Sequence, residues 1–102
     1  MNILIDERKE ETRVSITGRL NADTAAEFDK KSQIEIVTLK KDVKLDCENL
    51  DYISSAGLSC LIVLSKNLKS CECTLTLLNV KPMVNDILRI TGLIGNLLSV
   101  KY

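Results

Sequence analysis

The feature that most constrains this chain is an apolar strand followed closely by a helix that opens at two serines. Residues 45–68 read LDCENLDYISSAGLSCLIVLSKNL. Leu45 and Cys47 close the strand, and residues 49–52 have the composition of a turn. Beyond them, apolar side chains recur at the three- and four-residue spacing of an amphipathic helix. This pattern predicts a strand, a turn and a helix that begins near Ser55.

The serines at the start of this helix have two possible roles. A hydroxyl at a helix N-terminus can accept a hydrogen bond from one of the free backbone N–H groups of the first turn. It can also carry a phosphate, because the helix dipole and those N–H groups favour an anion there. Residue types alone leave both roles open, a helix cap and a switch.

The N-terminal part of the chain has the pattern of a β-hairpin. Residues 2–6 and 12–17 alternate polar and apolar side chains, and Gly18 is expected to end the second strand. The charged segment between the two strands is short, so we expect them to pair antiparallel.

The next segment predicts a helix with an ambiguous end. Asn21 or Asp23 can cap it, and the alanines that follow favour it. Residues 34–39 are rich in β-branched side chains, which favour a strand locally. We assign them to the end of the helix, because a strand there would leave almost no crossover before the apolar strand at 43–47.

The C-terminal third repeats the alternation of strand and helix. Residues 74–78 predict a buried strand, and Pro82 suits the first turn of a helix. Gly92 is expected to end that helix, with Leu93 folding back on its last turn. Residues 96–100 predict a final short strand.

The resulting element order is β-β-α-β-α-β-α-β in a single domain spanning residues 1–102. Helices that alternate with strands predict an α/β fold with a mostly parallel sheet. We therefore expect five strands, one of them an antiparallel edge strand, and three main helices.

The composition argues against several classes of partner. Lys plus Arg and Asp plus Glu each number 14, so the formal net charge is zero, and aromatic residues make up 3%. We therefore expect neither a nucleic-acid nor a membrane partner.

No apolar run has the length of a membrane span, and the start of the chain lacks the apolar core of a signal peptide. The predicted location is the cytoplasm.

The residue types give little support for an enzyme or a metal site. The chain has no histidine and no glycine-rich phosphate-binding motif, so the usual nucleophile–base pairs are missing. Cys47 and Cys60 lie in apolar segments and are expected to be buried. Cys71 and Cys73 form one close pair without a second ligand pair, which disfavours zinc. We expect no catalytic residue, no metal and no cofactor.

Four short segments follow one another in register along the chain: Gly18–Asn21 with Thr24 and Ala25, Leu45 and Asp46 with Leu50, Tyr52–Leu58, and Val80–Pro82 with Thr91–Leu93. Together they resemble the STAS domain family, and within it the stand-alone bacterial anti-sigma factor antagonists. The corresponding family patterns are G-x-L-D…T-A at the end of the second strand, L-D/N-L…L after a hydrophobic strand, F/Y-M/I-D-S-S/T-G-L, and P-x-V…L…T/S-G-L along the final helix.

The resemblance implies the STAS fold and a role in partner switching. The unphosphorylated protein is expected to bind an anti-sigma factor that is also a serine kinase of the GHKL type, which releases a sigma factor. The kinase would then phosphorylate the antagonist, and a phosphoserine phosphatase would reset it. Carried over by position, the phosphorylated residue is Ser55. Partner contacts are expected at Asn21, Asp23, Thr24, Ser54, Ser55, Ala56, Gly57 and Ser59.

The sequence departs from the family pattern on both sides of Ser55. Ser54 stands where the family has aspartate, and Ala56 stands where it has serine or threonine. The missing aspartate removes a charge beside the hydroxyl. These departures support one alternative, a STAS scaffold that does not switch. A second alternative, which does not depend on them, is an interaction module that senses a small molecule or nucleotide.

Overall fold

The structure, a computed structural model, describes residues 1–90 and the backbone of residues 99–101. Its strands and main helices are β1 (Asn2–Glu7), β2 (Glu11–Leu20), α1 (Ala25–Lys31), β3 (Asp42–Ile53), α2 (Ser55–Ser70), β4 (Leu75–Leu78), α3 (Pro82–Ile90) and β5 (Ser99–Lys101).

The five strands form one sheet in the order β1-β2-β3-β4-β5. β1 is antiparallel to β2, and every later neighbour pair is parallel. The predicted α/β class, element order and antiparallel edge strand are therefore confirmed. α3 begins at Pro82 as predicted. The expected helix end at Gly92 and Leu93, and the first part of the predicted strand 96–100, lie outside the described residues.

β3 is much longer than the sequence predicts, and the predicted turn at residues 49–52 is wrong. The strand continues to Ile53, and the register between β2 and β3 shifts twice along this stretch. At each shift β3 contains one more residue than β2, as in a β-bulge. Cys47, Leu50 and Ile53 are all buried, at a spacing of three residues instead of two. A strand with this spacing is not detected by a test for strict alternation of apolar and polar residues. β2 also extends past Gly18 to Leu20.

The ambiguous segment after α1 is helical, as predicted. A π-helical turn covers Ser32–Ile36, and a 3-10 turn covers Val37–Leu39. The wider π turn keeps Phe28 and Ile36 buried on the same side of the helix, and both have no exposed surface. Lys40 then takes a left-handed conformation with φ of 54° and turns the chain toward β3. The tertiary packing of these apolar side chains outweighs the local preference for a strand.

The sheet has one covered face and one more open face. On β2 the side chains of Val14, Ile16 and Leu20 are buried, whereas the alternate residues Ser15 and Thr17 are partly or fully exposed. α1 contacts α2, and α2 contacts β3 and β4. The helix layer therefore covers the face of β2 that carries Val14, while the opposite face of β1 and β2 is open to solvent.

Candidate functional site

The carboxyl ends of β2 and β3 bring the two predicted contact segments together. Leu20 and Ile53 are paired in register, so the residues that follow them leave the sheet side by side. The Ser54 N–H donates to the Leu20 carbonyl oxygen at 3.0 Å. The Asn21 loop and the Ser55 turn therefore share one edge of the sheet. In parallel α/β sheets this carboxyl edge is where binding sites form.

Ser54 is the residue that caps α2. Its backbone is extended, with φ of −100° and ψ of 177°, and its side-chain oxygen accepts a hydrogen bond from the Gly57 N–H at 3.3 Å. The Ser54 carbonyl oxygen accepts the first intrahelical bond, from the Leu58 N–H at 2.8 Å. Of the two roles that the sequence leaves open, the cap belongs to Ser54.

Ser55 is the first residue of α2, and its side chain is exposed. Its carbonyl oxygen accepts a hydrogen bond from the Ser59 hydroxyl at 3.1 Å, one helical turn further on. The Ser54 and Gly57 N–H groups already have acceptors, so the other two N–H groups of the first turn are those of Ser55 and Ala56. Ser55 thus presents an accessible hydroxyl at the positive end of a 16-residue helix.

Gly57 allows the N-terminus of α2 to approach the sheet closely. A Cβ at this position would overlap the Leu20 carbonyl oxygen, and it would lie 2.8 Å from Ile53 Cγ1 and 2.9 Å from Leu20 Cγ. Real side chains do not tolerate such distances without a shift of the backbone. Gly57 is therefore required for the close packing of α2 against the ends of β2 and β3.

The neighbouring loop is ordered by Asn21 and Thr24. Asn21 Oδ1 accepts hydrogen bonds from the N–H groups of Asp23 and Thr24, at 3.0 Å and 3.3 Å. The Thr24 hydroxyl oxygen accepts from the Asn21 N–H at 3.0 Å, and the hydroxyl donates to the Arg19 carbonyl at 2.8 Å. The N-cap position of α1 is Thr24. The prediction that Asn21 or Asp23 caps α1 is therefore wrong, because Asn21 closes the turn that precedes the helix and Asp23 is exposed.

The rim of the site contains charged side chains that were not assigned to it from the sequence. The Arg19 guanidinium lies 4.7 Å from the centroid of the Tyr52 ring. Lys81, just before α3, forms an ion pair with Asp51 near the end of β3 at 2.5 Å. The register of β2 and β3 pairs Arg19 with Tyr52, and only a correct assignment of the second bulge could have predicted that pairing.

Burial disfavours the thiolate form of two cysteines in the core, Cys47 and Cys60. Burial raises the pKa of the Cys47 thiol to about 12, and burial raises that of Cys60 to about 12. The Cys60 thiol also donates a weak hydrogen bond to the Ala25 carbonyl at 3.6 Å, which links α2 to α1. Both cysteines are packing residues, as predicted. In the part of the chain that the structure describes, no three His, Cys, Asp or Glu side chains are close enough to hold a metal ion.

A sequence profile of the family described as Mlab, STAS domain matches residues 3–99. The chain belongs to the STAS domain family. Over 80 residues this STAS domain is 30% identical to BtrV of Bordetella bronchiseptica, which is described as an anti-sigma factor antagonist. That alignment covers 78% of this chain and 69% of BtrV.

Solved structures of anti-sigma factor antagonists have the same fold as this STAS domain. One from Thermotoga maritima gives a TM-score of 0.88 at 18% identity, over 98% of this chain and 86% of that protein. SpoIIAA of Bacillus in its phosphorylated form gives 0.74 at 16% identity, over 99% and 92% of the two chains. Its unphosphorylated form gives 0.73 at 14% identity, over 99% and 90%. These structures show the shared fold, and the match to BtrV groups the STAS domain with the anti-sigma factor antagonists, a regulatory class of protein.

Within the described part of the STAS domain, no helix has both the length and the apolar character that crossing a bilayer requires.

Replacing Ser54 by alanine should destabilise the STAS domain by about 1 kcal/mol, because the cap on the Gly57 N–H is lost. Replacing Ser54 by aspartate should retain the cap and add a favourable charge at the helix N-terminus. Chemical denaturation of both variants, with Ser70→Ala near the other end of α2 as a control, measures the difference. Equal stability of Ser54→Ala and the wild type would contradict the capping role.

Proposed function

We propose that this STAS domain is a switchable anti-sigma factor antagonist. In its unphosphorylated form it binds an anti-sigma factor that is also a serine kinase, and so releases a sigma factor. Phosphorylation of Ser55 by that kinase breaks the complex, and a phosphoserine phosphatase restores it. The observation that carries the proposal is the exposed Ser55 hydroxyl at the first position of α2, where the neighbouring Ser54 supplies the cap.

The proposed contact surface lies on the two turns at the carboxyl edge of the sheet. Ser55 and Ser59 are exposed on the first turns of α2, and Ala56 between them is half-buried. Asn21, Asp23 and Thr24 form the adjacent turn, which the pairing of β2 with β3 brings close. Ser54 and Gly57 contribute by fixing the path of the backbone. These are the eight residues for which the family resemblance implies partner contacts.

The charge of a phosphate explains why one modification could switch binding without unfolding the domain. A phosphoserine carries a charge of roughly −1.5 to −2 at neutral pH. In the free protein the helix dipole and the first-turn N–H groups of Ser55 and Ala56 favour that charge. In a complex the same charge must be removed from water at a packed surface, which is costly without a cationic partner. Partner affinity should therefore fall while the fold is retained.

The serine at position 54 is compatible with this switch. The family's aspartate would accept a hydrogen bond from the backbone, and the Ser54 hydroxyl oxygen accepts that bond here. What the substitution removes is a negative charge next to Ser55. A phosphate on Ser55 would then face one like charge fewer, and this favours phosphorylation at the site.

The test is a kinase assay with the anti-sigma partner and ATP, read by intact mass. We expect the wild type to gain one phosphate and Ser55→Ala to gain none. Ser70→Ala is the matched control, because its hydroxyl is also exposed but lies at the other end of the same helix, outside the proposed contact surface. It should be phosphorylated like the wild type, and the phosphatase should remove the added mass.

Three results would change this assignment. If the partner binds but no phosphate is added, the domain is a scaffold that does not switch. If no partner binds and a specific nucleotide or metabolite raises the melting temperature, the domain is a sensing module. Phosphorylation that persists in Ser55→Ala would place the modified residue elsewhere.

A further inference from the structure

The first strand of the sheet has a long unpaired edge. β1 pairs with β2 through all six residues, Asn2–Glu7, without a register shift. It is first in the strand order, so its other edge has no neighbouring strand in the described chain. Leu4, in the middle of β1, is 69% exposed. At the opposite edge of the sheet, the described part of β5 covers three residues.

β1 lacks the features by which proteins usually protect an edge strand. Such strands are typically short, bulged, or interrupted by proline or lysine, because free N–H and C=O groups recruit other strands. The segment NILIDE contains no proline and no lysine, and its pairing with β2 has no bulge. Its only charged side chains, Asp6 and Glu7, lie at its C-terminal end.

We propose that two copies of this chain associate through β1, antiparallel, about a two-fold axis that passes beside Leu4. Such pairing would join two five-stranded sheets into one continuous sheet. A two-fold axis perpendicular to the sheet sets Leu4 opposite Leu4 of the other copy. It also sets Ile3 opposite Ile5, and Asn2 opposite Asp6. Each opposed pair is then either two apolar side chains or an amide with a carboxylate, and no like charges meet.

The neighbouring registers are less favourable. Residues directly opposite one another in an antiparallel pair face the same side of the sheet. If the helix layers of the two copies lie on the same side, the two-fold axis must therefore pass beside a residue and not between two residues. The alternative registers are then centred on Ile3 or Ile5. An axis beside Ile5 sets Leu4 opposite Asp6 and Ile3 opposite Glu7, which pairs apolar side chains with carboxylates. An axis beside Ile3 shortens the ladder and leaves both carboxylates unpaired. The side-chain pattern therefore selects the register centred on Leu4.

The proposed interface is separate from the Ser55 turn. β1 is separated from β3 by β2, and Ser55 follows the far end of β3. A dimer formed through β1 would therefore leave both Ser55 turns accessible and would present two such surfaces at opposite ends of the joined sheet. The inference does not depend on whether Ser55 is phosphorylated.

Light scattering coupled to size-exclusion chromatography tests the association. Oppositely charged substitutions at Leu4 test the register. The wild type should approach twice the 11.4 kDa mass of one chain as its concentration rises. Leu4→Lys and Leu4→Glu should each be monomeric, because each sets two like charges opposite one another at the axis. An equimolar mixture of the two variants should recover the dimer mass, because opposite charges then meet. Val63→Lys, a change at another exposed apolar residue on α2, should dimerise like the wild type.

Three outcomes would overturn the proposal. The first is a wild type that remains monomeric up to about 1 mM. The second is a dimer that persists in Leu4→Lys, or that Val63→Lys also disrupts, since either would place the contact elsewhere. The third is a mixture of the two Leu4 variants that stays monomeric, which would exclude the register. Leu4 is exposed, so circular dichroism should show both variants folded.

Discussion

Replacing Ser55 by aspartate should abolish capture of the anti-sigma partner while the domain keeps its fold. The new carboxylate would lie at the exposed start of α2, where the helix dipole tolerates it in the free protein. In the proposed complex it would be desolvated without a counter-ion, which costs about 3–5 kcal/mol. Because each 1.4 kcal/mol is a factor of ten, affinity should fall by roughly 100-fold or more.

Ser55→Asn is the matched control for this experiment. Asparagine has the size of aspartate but no charge, so the difference between the two variants isolates the electrostatic part of the effect. We expect the asparagine variant to bind at least ten times more tightly than the aspartate variant in a titration with the purified partner. Equal affinities for these two variants would show that charge at Ser55 does not control binding.

Replacing Gly57 by alanine should destabilise the domain by about 3 kcal/mol, in spite of alanine's better helix propensity. The added methyl group would overlap the Leu20 carbonyl oxygen, which is backbone and cannot rotate away. α2 must therefore shift from the ends of β2 and β3. For a domain of this size the melting temperature should fall by roughly 12–24 °C.

The sign of this effect makes the experiment decisive. In an unconstrained helix, glycine to alanine stabilises by roughly 1 kcal/mol. A melting temperature equal to or above that of the wild type would therefore show that α2 does not need close approach at Gly57. Ser59→Ala, two residues further along the same helix, should change stability by no more than about 0.5 kcal/mol.

The main features of the fold were predictable because its elements follow simple periods. The hairpin at the N-terminus alternates, and α2 repeats every three to four residues. The second half of β3 was not predictable, because two bulges replace alternation by a spacing of three between Cys47, Leu50 and Ile53. A bulge is stabilised by the neighbouring strand. Because that strand is distant in the sequence, the local sequence around the bulge does not predict it.

The sequence predicted which segments form the candidate site, but not which side chain in each segment makes the capping contact. The residue pattern indicates that a hydroxyl at Ser54 or Ser55 starts α2, yet adjacent serines have the same chemistry. The extended backbone at Ser54 assigns the cap to that residue and leaves Ser55 exposed. Similarly, Asn21 and Asp23 are both good capping residues, and only the turn that Asn21 closes moves the cap position to Thr24.

The conformation of the chain at Ser55 depends on the Leu20 carbonyl, which is distant in the sequence. That oxygen accepts the Ser54 N–H and lies against Gly57, although more than thirty residues separate it from them. A free peptide covering residues 45–68 contains every side chain of the turn but lacks that oxygen. A protein that recognises Ser55 in its native geometry therefore recognises a folded epitope and not a linear motif. Mutations within β2 can therefore alter how Ser55 is presented to a partner, although β2 is distant from Ser55 in the sequence.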